Sequence, residues 1–235
     1  MRFVAIKTAE QQAAASMHKV RELLMKQRTM LINALRGLMA EFGIVVAEGP
    51  RHVSELVALL ADPQEKRIPA TLHSGLVQLA ESLRSLERRL ELIEKQIVVW
   101  GRDNATCRHL ITAPGYGPIL SSAMAAMVVD PAAFGSGRNF AVSLGLVPRQ
   151  DGTGGKVKLG PISKRGNGYL RRLLVNGAMA VLTSKRACQD PWLAKLLQTK
   201  AHRKIVAVAL ANKMARIGWA LMTRQEDFRR APAAA

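Results

Sequence analysis

The chain has 235 residues, 49% of them hydrophobic and 4% aromatic, and its 35 Lys and Arg outnumber its 17 Asp and Glu to give a net charge of +18. This length and apolar content exclude a wholly disordered chain, and the wealth of Ala, Leu and Met, which lose little side-chain freedom in helices, predicts a mainly α fold with few strands. The excess of cations predicts that the chain binds nucleic acid, in preference to an anionic membrane surface.

Cysteine usage and the start of the chain indicate the compartment. Cys107 and Cys188 have no C-x-x-C spacing and no nearby His pair, so we expect buried, reduced thiols rather than disulfides or a zinc site. The apolar run in residues 1–7 is too short for a signal peptide. The sequence therefore predicts a cytoplasmic protein.

Two helices are predicted before residue 62. After a short extended start at residues 3–6, Thr8 and Gln11 have the spacing of a capping box, and a long helical pattern follows until Gly43. A shorter helix is predicted over residues 54–61, where Asp62 and Pro63 end it.

The next segment has the apolar pattern of a coiled-coil arm. Apolar residues recur at alternating steps of four and three, which makes a heptad seam: Leu72, Leu76, Leu79, Leu83, Leu86, Leu90, Ile93 and Ile97. The seam needs a partner, which could be the first helix of the same chain or another subunit. We expect both to contribute, so that a homo-oligomer forms through this arm. Charged residues at the outer positions form ion pairs or a solvated face.

Beyond the arm the chain changes to shorter helices separated by Gly and Pro. We place a hinge near residues 101–106, between a domain of residues 1–103 and a domain of residues 104–230, and predict a disordered tail at residues 231–235. The uncharged stretch 110–129 is broken by Pro and Gly, which favours a turn between helices over a membrane span, so no membrane partner is expected. One more amphipathic helix is predicted over residues 205–222.

The turn at residues 114–118, with sequence Pro-Gly-Tyr-Gly-Pro, is similar to the hairpin of a helix-hairpin-helix element. In such a turn, backbone N–H groups approach a phosphate and the next helix begins facing it. We therefore count Gly115, Tyr116 and Gly117 among the candidate DNA contacts. A plain turn between two helices is the alternative.

Residues 138–172 form a basic region around a Gly-rich centre. The piece from Asp151 to Lys156 predicts a mobile loop between two basic segments. Cations on both sides can crowd around one anion, and the hydroxyl of Thr153 at the loop tip suits attack on a phosphodiester. The candidate DNA-binding cations are Arg138, Arg149, Lys156, Lys158, Lys164, Arg165, Arg171 and Arg172.

Together these blocks resemble the C-terminal domain of the Piv/MooV-type insertion-sequence transposases, the IS110 family, and most closely its IS1111 branch. The resemblance covers nearly the whole chain: residues 2–4, the helix at 27–36, the arm, the turn at 114–118 and the block at 145–172. It implies a DNA recombinase that excises and inserts its own element, in some members with a guide RNA. It also implies an N-terminal RuvC-like domain with four acidic residues around Mg²⁺, and a serine of the C-terminal domain that bonds covalently to DNA.

Two departures from the family pattern matter. No Asp or Glu of this sequence matches the metal-binding acids, so we expect that domain to be missing here, no metal or cofactor to be held by the chain, and the isolated chain to be inactive. Asp103, Asp130 and Asp151 are expected to be caps and turn formers. Thr153 stands at the family's serine position, where its methyl group crowds the approach to phosphorus. Ser163 is either a substitute nucleophile or the N-cap of the next helix.

The sequence therefore predicts the DNA-handling portion of a transposase, which binds DNA, or an RNA–DNA complex, through residues 110–172. Two alternatives stay open: a non-catalytic nucleic-acid-binding regulator, and a transposase remnant with no function.

Overall fold

The computed structural model describes residues 5–47, 49, 52–62, 64–153, 156–184, 190–199 and 202–229. Within these ranges the chain is mainly α-helical, as predicted. The helices are α1 (Ala9–Ala40), α2 (Val53–Ala61), α3 (Ala70–Asp103), α4 (Ala105–Ile111), α5 (Pro118–Met127), α6 (Gly137–Ser143), α7 (Gly168–Thr183), α8 (Pro191–Thr199) and α9 (Arg203–Arg224). A 3₁₀ turn at Pro131–Ala133 and two strands, β1 (Pro148–Thr153) and β2 (Lys156–Ile162), complete the described elements.

The first two helices begin and end where the sequence indicates. The capping box forms, because the Thr8 hydroxyl accepts a hydrogen bond from the Gln11 N–H and the Gln11 side chain accepts one from the Thr8 N–H, each at 3.1 Å. Helix α1 ends before Gly43, which has the left-handed φ of 72° that stops helices. Helix α2 ends at Ala61 with Asp62 as its C-cap, and Pro63 lies outside the described residues.

The described residues form two compact units, and the first is Ser16–Gln96. In this unit α1 runs antiparallel to α3, because Arg21 pairs with Glu94 at 2.7 Å while Arg28 pairs with Glu87 at 3.0 Å. The heptad leucines of α3 are buried in one core with residues of α1 and α2: Leu76, Leu83, Leu35, Met39, Leu56 and Leu60. The first helix of the same chain is therefore one partner of the seam, and a second subunit stays a prediction.

The second unit contains the described residues up to Ala15 and those from Ile97 onward, and its core is built around α9. Helices α4, α6, α7 and α8 and the 3₁₀ turn all contact α9. By length and composition alone α9 could cross a membrane, but half of its most apolar window is buried inside the unit, as in a core helix. Val206, Leu210 and Met214 are among its buried residues. The uncharged stretch 110–129 contains, as predicted, a turn between two helices, α4 and α5.

The prediction of a loop at residues 151–156 is wrong for the residues described there, because residues 151–153 belong to strand β1 and Lys156 to strand β2, which pair antiparallel. Gln150 pairs with Leu159 and Thr153 with Lys156, with an irregularity between Pro148 and Gln150. The loop was predicted from the glycines at positions 152, 154 and 155, of which Gly152 lies in strand β1. Residues 154 and 155, the predicted tail at 231–235 and residues 3–4 lie outside the described residues.

Candidate nucleic-acid interface

Two turns fit together at the base of the hairpin, one after α6 and one before α7. The Ser163 N–H donates to the Val147 carbonyl at 2.9 Å, and the Lys164 N–H donates to the Gly145 carbonyl at 3.2 Å. Gly145 and Gly166 have φ values of 68° and 75°. A Cβ at Gly145 would overlap the Arg165 backbone, and one at Gly166 would overlap the Ser143 carbonyl. Only glycine allows this close approach of the two turns, which we call the interlocked turns (residues 144–147 and 163–166).

Arg171 holds the interlocked turns together from the first turn of α7. Its Nη1 donates to the Leu144 carbonyl at 2.8 Å and to the Arg165 carbonyl at 2.9 Å. These two bonds orient the guanidinium, while Arg171 stays partly exposed. Arg171 therefore positions the turns, and its contact with DNA stays a prediction.

The neighbouring cations face solvent. Lys164 and Arg165 are exposed on the second turn, and Arg172 lies 5.4 Å above the Tyr169 ring. Lys164 has a φ of 55°, a left-handed conformation that costs a non-glycine residue about 1–2 kcal/mol. Strained backbone positions cluster at functional sites, which makes Lys164 a candidate contact.

Helix α7 adds its own positive end to this surface. Asn167, not Ser163, is its N-cap, since the Asn167 side-chain oxygen accepts from the Tyr169 and Leu170 N–H groups at 3.0 and 3.1 Å. The prediction of Ser163 as this cap is therefore wrong, because the interlocked turns occupy residues 163–166 and delay the helix start. The N-terminus of a helix carries partial positive charge that attracts phosphate.

The hairpin carries two more exposed cations, Arg149 on β1 and Lys158 on β2, and Arg138 is exposed on α6. Thr153 and Lys156 are backbone partners where the described strands end, and their side chains lie outside what the structure describes. No ion pair joins any of Arg138, Arg149, Lys164 and Arg165 to an acid among the described side chains. We define the basic surface as Arg138, Arg149, Lys158, Lys164, Arg165 and Arg172.

The predicted helix-hairpin-helix contacts are mostly turned inward. Tyr116 is buried and its hydroxyl donates to the Met214 carbonyl at 2.9 Å, while burial raises the pKa of that hydroxyl. Gly115, with a φ of 83°, packs closely against Gly177 and Met214. Both residues therefore contribute to the core, and their contact with DNA stays a prediction. Gly117, the exposed N-cap of α5, remains available.

The acids and thiols of the described residues have structural positions. No group of three or more His, Cys, Asp or Glu side chains there is arranged to hold a metal ion. Asp130 caps the 3₁₀ turn by accepting from the Ala132 N–H at 2.9 Å, as predicted, while Asp151 lies in strand β1 rather than in a loop. Cys107 is buried, and burial raises the pKa of its thiol to about 12. Cys188 lies outside the described residues.

Sequence reasoning missed the interlocked turns and the structural use of Arg171. The available signal was the pair of glycines at 145 and 166, each of which stands between a helix and a basic segment. A glycine at such a position often has a left-handed φ, but the sequence does not reveal that the two turns meet.

Comparison with known proteins agrees with the resemblance noted from the sequence. A sequence profile described as the transposase IS116/IS110/IS902 family matches residues 107–196. The chain is 44% identical, over 97% of its length, to the "Probable family 20 transposase" of Pseudomonas aeruginosa, and covers 69% of that protein. It is 38% identical to the transposase for insertion sequence element IS1111A of Coxiella burnetii, with 97% of this chain and 64% of that protein covered. It is also 38% identical to the transposase for insertion sequence element IS1328 of Yersinia enterocolitica, with 97% and 68% covered. The chain belongs to the IS116/IS110/IS902 family of transposases.

Proposed function

We propose that this chain is the DNA-handling portion of an insertion-sequence transposase and that the basic surface binds the phosphate backbone of DNA. The observation that carries the proposal is the strained, exposed Lys164 beside Arg165, held in place by the interlocked turns. Asp151 is the only acid between Arg138 and Arg186, so this part of the chain is strongly cationic. Contacts from such a surface position DNA without reading its sequence.

In this proposal Thr153 supplies the nucleophile, and the acids that bind Mg²⁺ belong to the family's RuvC-like domain. Thr153 stands at the family's serine position, and Lys156 is its backbone partner in the hairpin. The described residues supply no cluster of oxygen ligands of the kind Mg²⁺ needs, so no catalytic step is assigned to a metal held here. We expect the 235-residue chain to bind DNA without cutting it. The hypothesis of a non-catalytic regulator also predicts that the isolated chain binds DNA without cutting it.

The transposase hypothesis and the regulator hypothesis are distinguished by adding a full-length relative of the family, which supplies the metal-binding acids. A transposase portion that contributes Thr153 should then support strand cleavage, and Thr153→Ala should abolish its contribution while Thr153→Ser retains it. Cleavage that is indifferent to Thr153→Ala would contradict the assignment of the nucleophile. No cleavage with either hydroxyl, together with intact binding, would favour the regulator.

We also propose that the arm forms a homo-oligomer. Val20, Leu23 and Met30 are 47%, 55% and 61% exposed on α1, and Leu92 is 60% exposed on α3. The α1 residues are three and seven positions apart, which places them on one side of the helix. A guide RNA, as used by some family members, would bind the same basic surface through its phosphates.

The binding proposal is tested by fluorescence anisotropy on a labelled duplex across a series of salt concentrations. The logarithm of the affinity should fall with the logarithm of the salt concentration by about 0.9 per phosphate contact. The triple variant Lys164→Ala, Arg165→Ala, Arg172→Ala should reduce that slope by about two to three and weaken all duplex sequences alike.

A matched control removes the same charge from the arm: Arg84→Ala, Arg88→Ala, Lys95→Ala. These three residues are exposed on α3. If the control lost as much affinity as the test variant, net charge alone would explain binding and the basic surface would not be the site.

A further inference from the structure

A groove of about 720 Å³ opens in the second unit between the base of the hairpin and α9. Its walls are apolar and include Pro148 and Ile162 of the strands, Val208 and Ile205 of α9, and Trp192 of α8. The volume falls within the range of small-ligand sites, about 300–1,000 Å³. The groove is thus large enough to take a planar group of several rings.

Two large apolar side chains of this groove are left open to solvent. Trp192 is 37% exposed and Ile205 is 55% exposed. The Lys213 ammonium lies 4.4 Å from the centre of the Trp192 ring and 3.7 Å from an Asp190 oxygen. These contacts keep the indole in one orientation while part of its surface stays accessible.

The charges at the groove have one sign. Lys204 and Arg216 line it, and no acidic side chain is among the described residues that do so. The groove lies beside a residue of the basic surface, because its wall residues Pro148 and Ile162 pair at the hairpin base and Arg149 follows Pro148 in β1. A purely apolar partner would use the walls and leave the cations unpaired, whereas a nucleotide would use both its base and its phosphate.

We propose that this groove, the base groove, binds one unpaired nucleobase of the strand whose phosphates lie on the basic surface, with Trp192 as the stacking platform. The inference rests on the proposed DNA-binding function. A base inside a duplex has both faces covered by its neighbours and cannot reach the apolar walls. Aromatic side chains combined with cations are the usual means of binding unpaired nucleotides. The cost of removing a base from the stack is lowest where the base is already unpaired.

The experiment compares two labelled duplexes of the same sequence, one fully paired and one with a single unpaired thymine in the middle. Stacking of one base on an aromatic side chain predicts about tenfold tighter binding of the bulged duplex. Trp192→Ala should remove this preference and leave the affinity for the paired duplex unchanged.

Ile205→Ser, at a more exposed wall position, should reduce the preference without a risk to folding. Val142→Ala, which changes an exposed apolar residue of the same unit outside the groove, should keep both affinities.

A direct readout comes from 5-iodouracil placed at the bulge, which should crosslink to the peptide that contains Trp192. Equal affinities of the unaltered chain for the two duplexes, or a crosslink outside the base groove, would overturn the inference while leaving the proposed function intact. If the unaltered chain bound neither duplex, the proposed function itself would be overturned. A change of oligomeric state on Ile205→Ser, with the bulge preference retained, would assign the groove to a protein contact and overturn the inference.

Discussion

Lys164 is expected to lower the stability of the fold through its backbone conformation and to strengthen DNA binding through its charge. Its left-handed φ is strained for lysine and is readily adopted by glycine. We expect Lys164→Gly to leave the free energy of unfolding unchanged or to raise it by up to about 1 kcal/mol, while weakening DNA binding. Urea denaturation and anisotropy measure the two effects. A clear loss of stability in Lys164→Gly would show that the lysine side chain supports the fold.

His18 provides a test of the first unit by pH. The side chain is 1% exposed, and burial, with a smaller contribution from the Arg21 cation, lowers its pKa from 6.5 to about 4. Between these values the unfolded chain binds more protons than the folded chain, so stability is present above pH 6.5 and is lost as the pH falls towards 4. A shift of this size corresponds to about 3 kcal/mol.

The measurement is the urea midpoint between pH 7 and pH 4, compared with that of His18→Leu. The variant should lose most of the pH dependence in this window, because it has no imidazole to protonate. The same dependence in both proteins would mean that His18 is not the cause of the effect.

Arg171 and Arg172 mark the limit of sequence reasoning at the residue scale. Both were predicted as DNA contacts because both are cations in one basic block. Adjacent residues point about 100° apart around a helix, so one turns towards the interlocked turns and the other stays exposed. Which of the two is used by the fold depends on where α7 begins, and that depends on Asn167 and not on Ser163.

At the scale of elements, the helices were predictable because their signals are local. The Thr8–Gln11 capping box and the heptad spacing in α3 need only residues close in sequence. The hairpin was missed because Gly152 and the two glycines after Thr153 suggest a loop, while the pairing of β1 with β2 is a contact between segments. Composition alone does not separate a Gly-rich loop from a tight hairpin.

The heptad seam predicts which leucines of α3 stabilise the first unit. Leu83 is 1% exposed in the core shared with α1 and α2, whereas Leu92 is 60% exposed. We expect Leu83→Ala to lower the free energy of unfolding by about 2–5 kcal/mol, since it leaves a cavity. Leu92→Ala should change the stability of the monomer by less than about 0.5 kcal/mol.

Urea denaturation at low protein concentration checks both variants. Similar losses in the two would contradict the intramolecular seam. A loss for Leu92→Ala that grows with protein concentration would support the proposed oligomer, because the residue would then be covered only in the assembly.

For the whole molecule, the composition was sufficient to predict a mainly α fold, but not how the arm is completed. The seam of α3 allowed another subunit as its partner, and the ion pairs Arg21–Glu94 and Arg28–Glu87 identify α1 of the same chain. The base groove had no sequence signal at all, because it joins residues from β1, β2, α8 and α9. Long-range assembly of this kind is visible only in the folded chain.

The net charge of +18 leads to a last prediction, that salt acts in opposite directions on folding and on binding. Raising NaCl from 0.1 M to 1 M shortens the Debye length from about 10 Å to about 3 Å, which screens the repulsion among the excess cations. The Tm should therefore rise with salt. Over the same range the affinity for duplex DNA should fall, because the release of condensed counterions into a more concentrated salt solution gains less entropy.

Thermal denaturation followed by circular dichroism, beside anisotropy in the same buffers, gives both quantities. A Tm that falls with salt would mean that the ion pairs of the arm outweigh the repulsion between cations. An affinity that does not change with salt would contradict phosphate binding by the basic surface. A rising Tm together with a falling affinity is explained by one cause. The chain carries an excess of positive charge, whose repulsion salt screens and which DNA neutralises on binding.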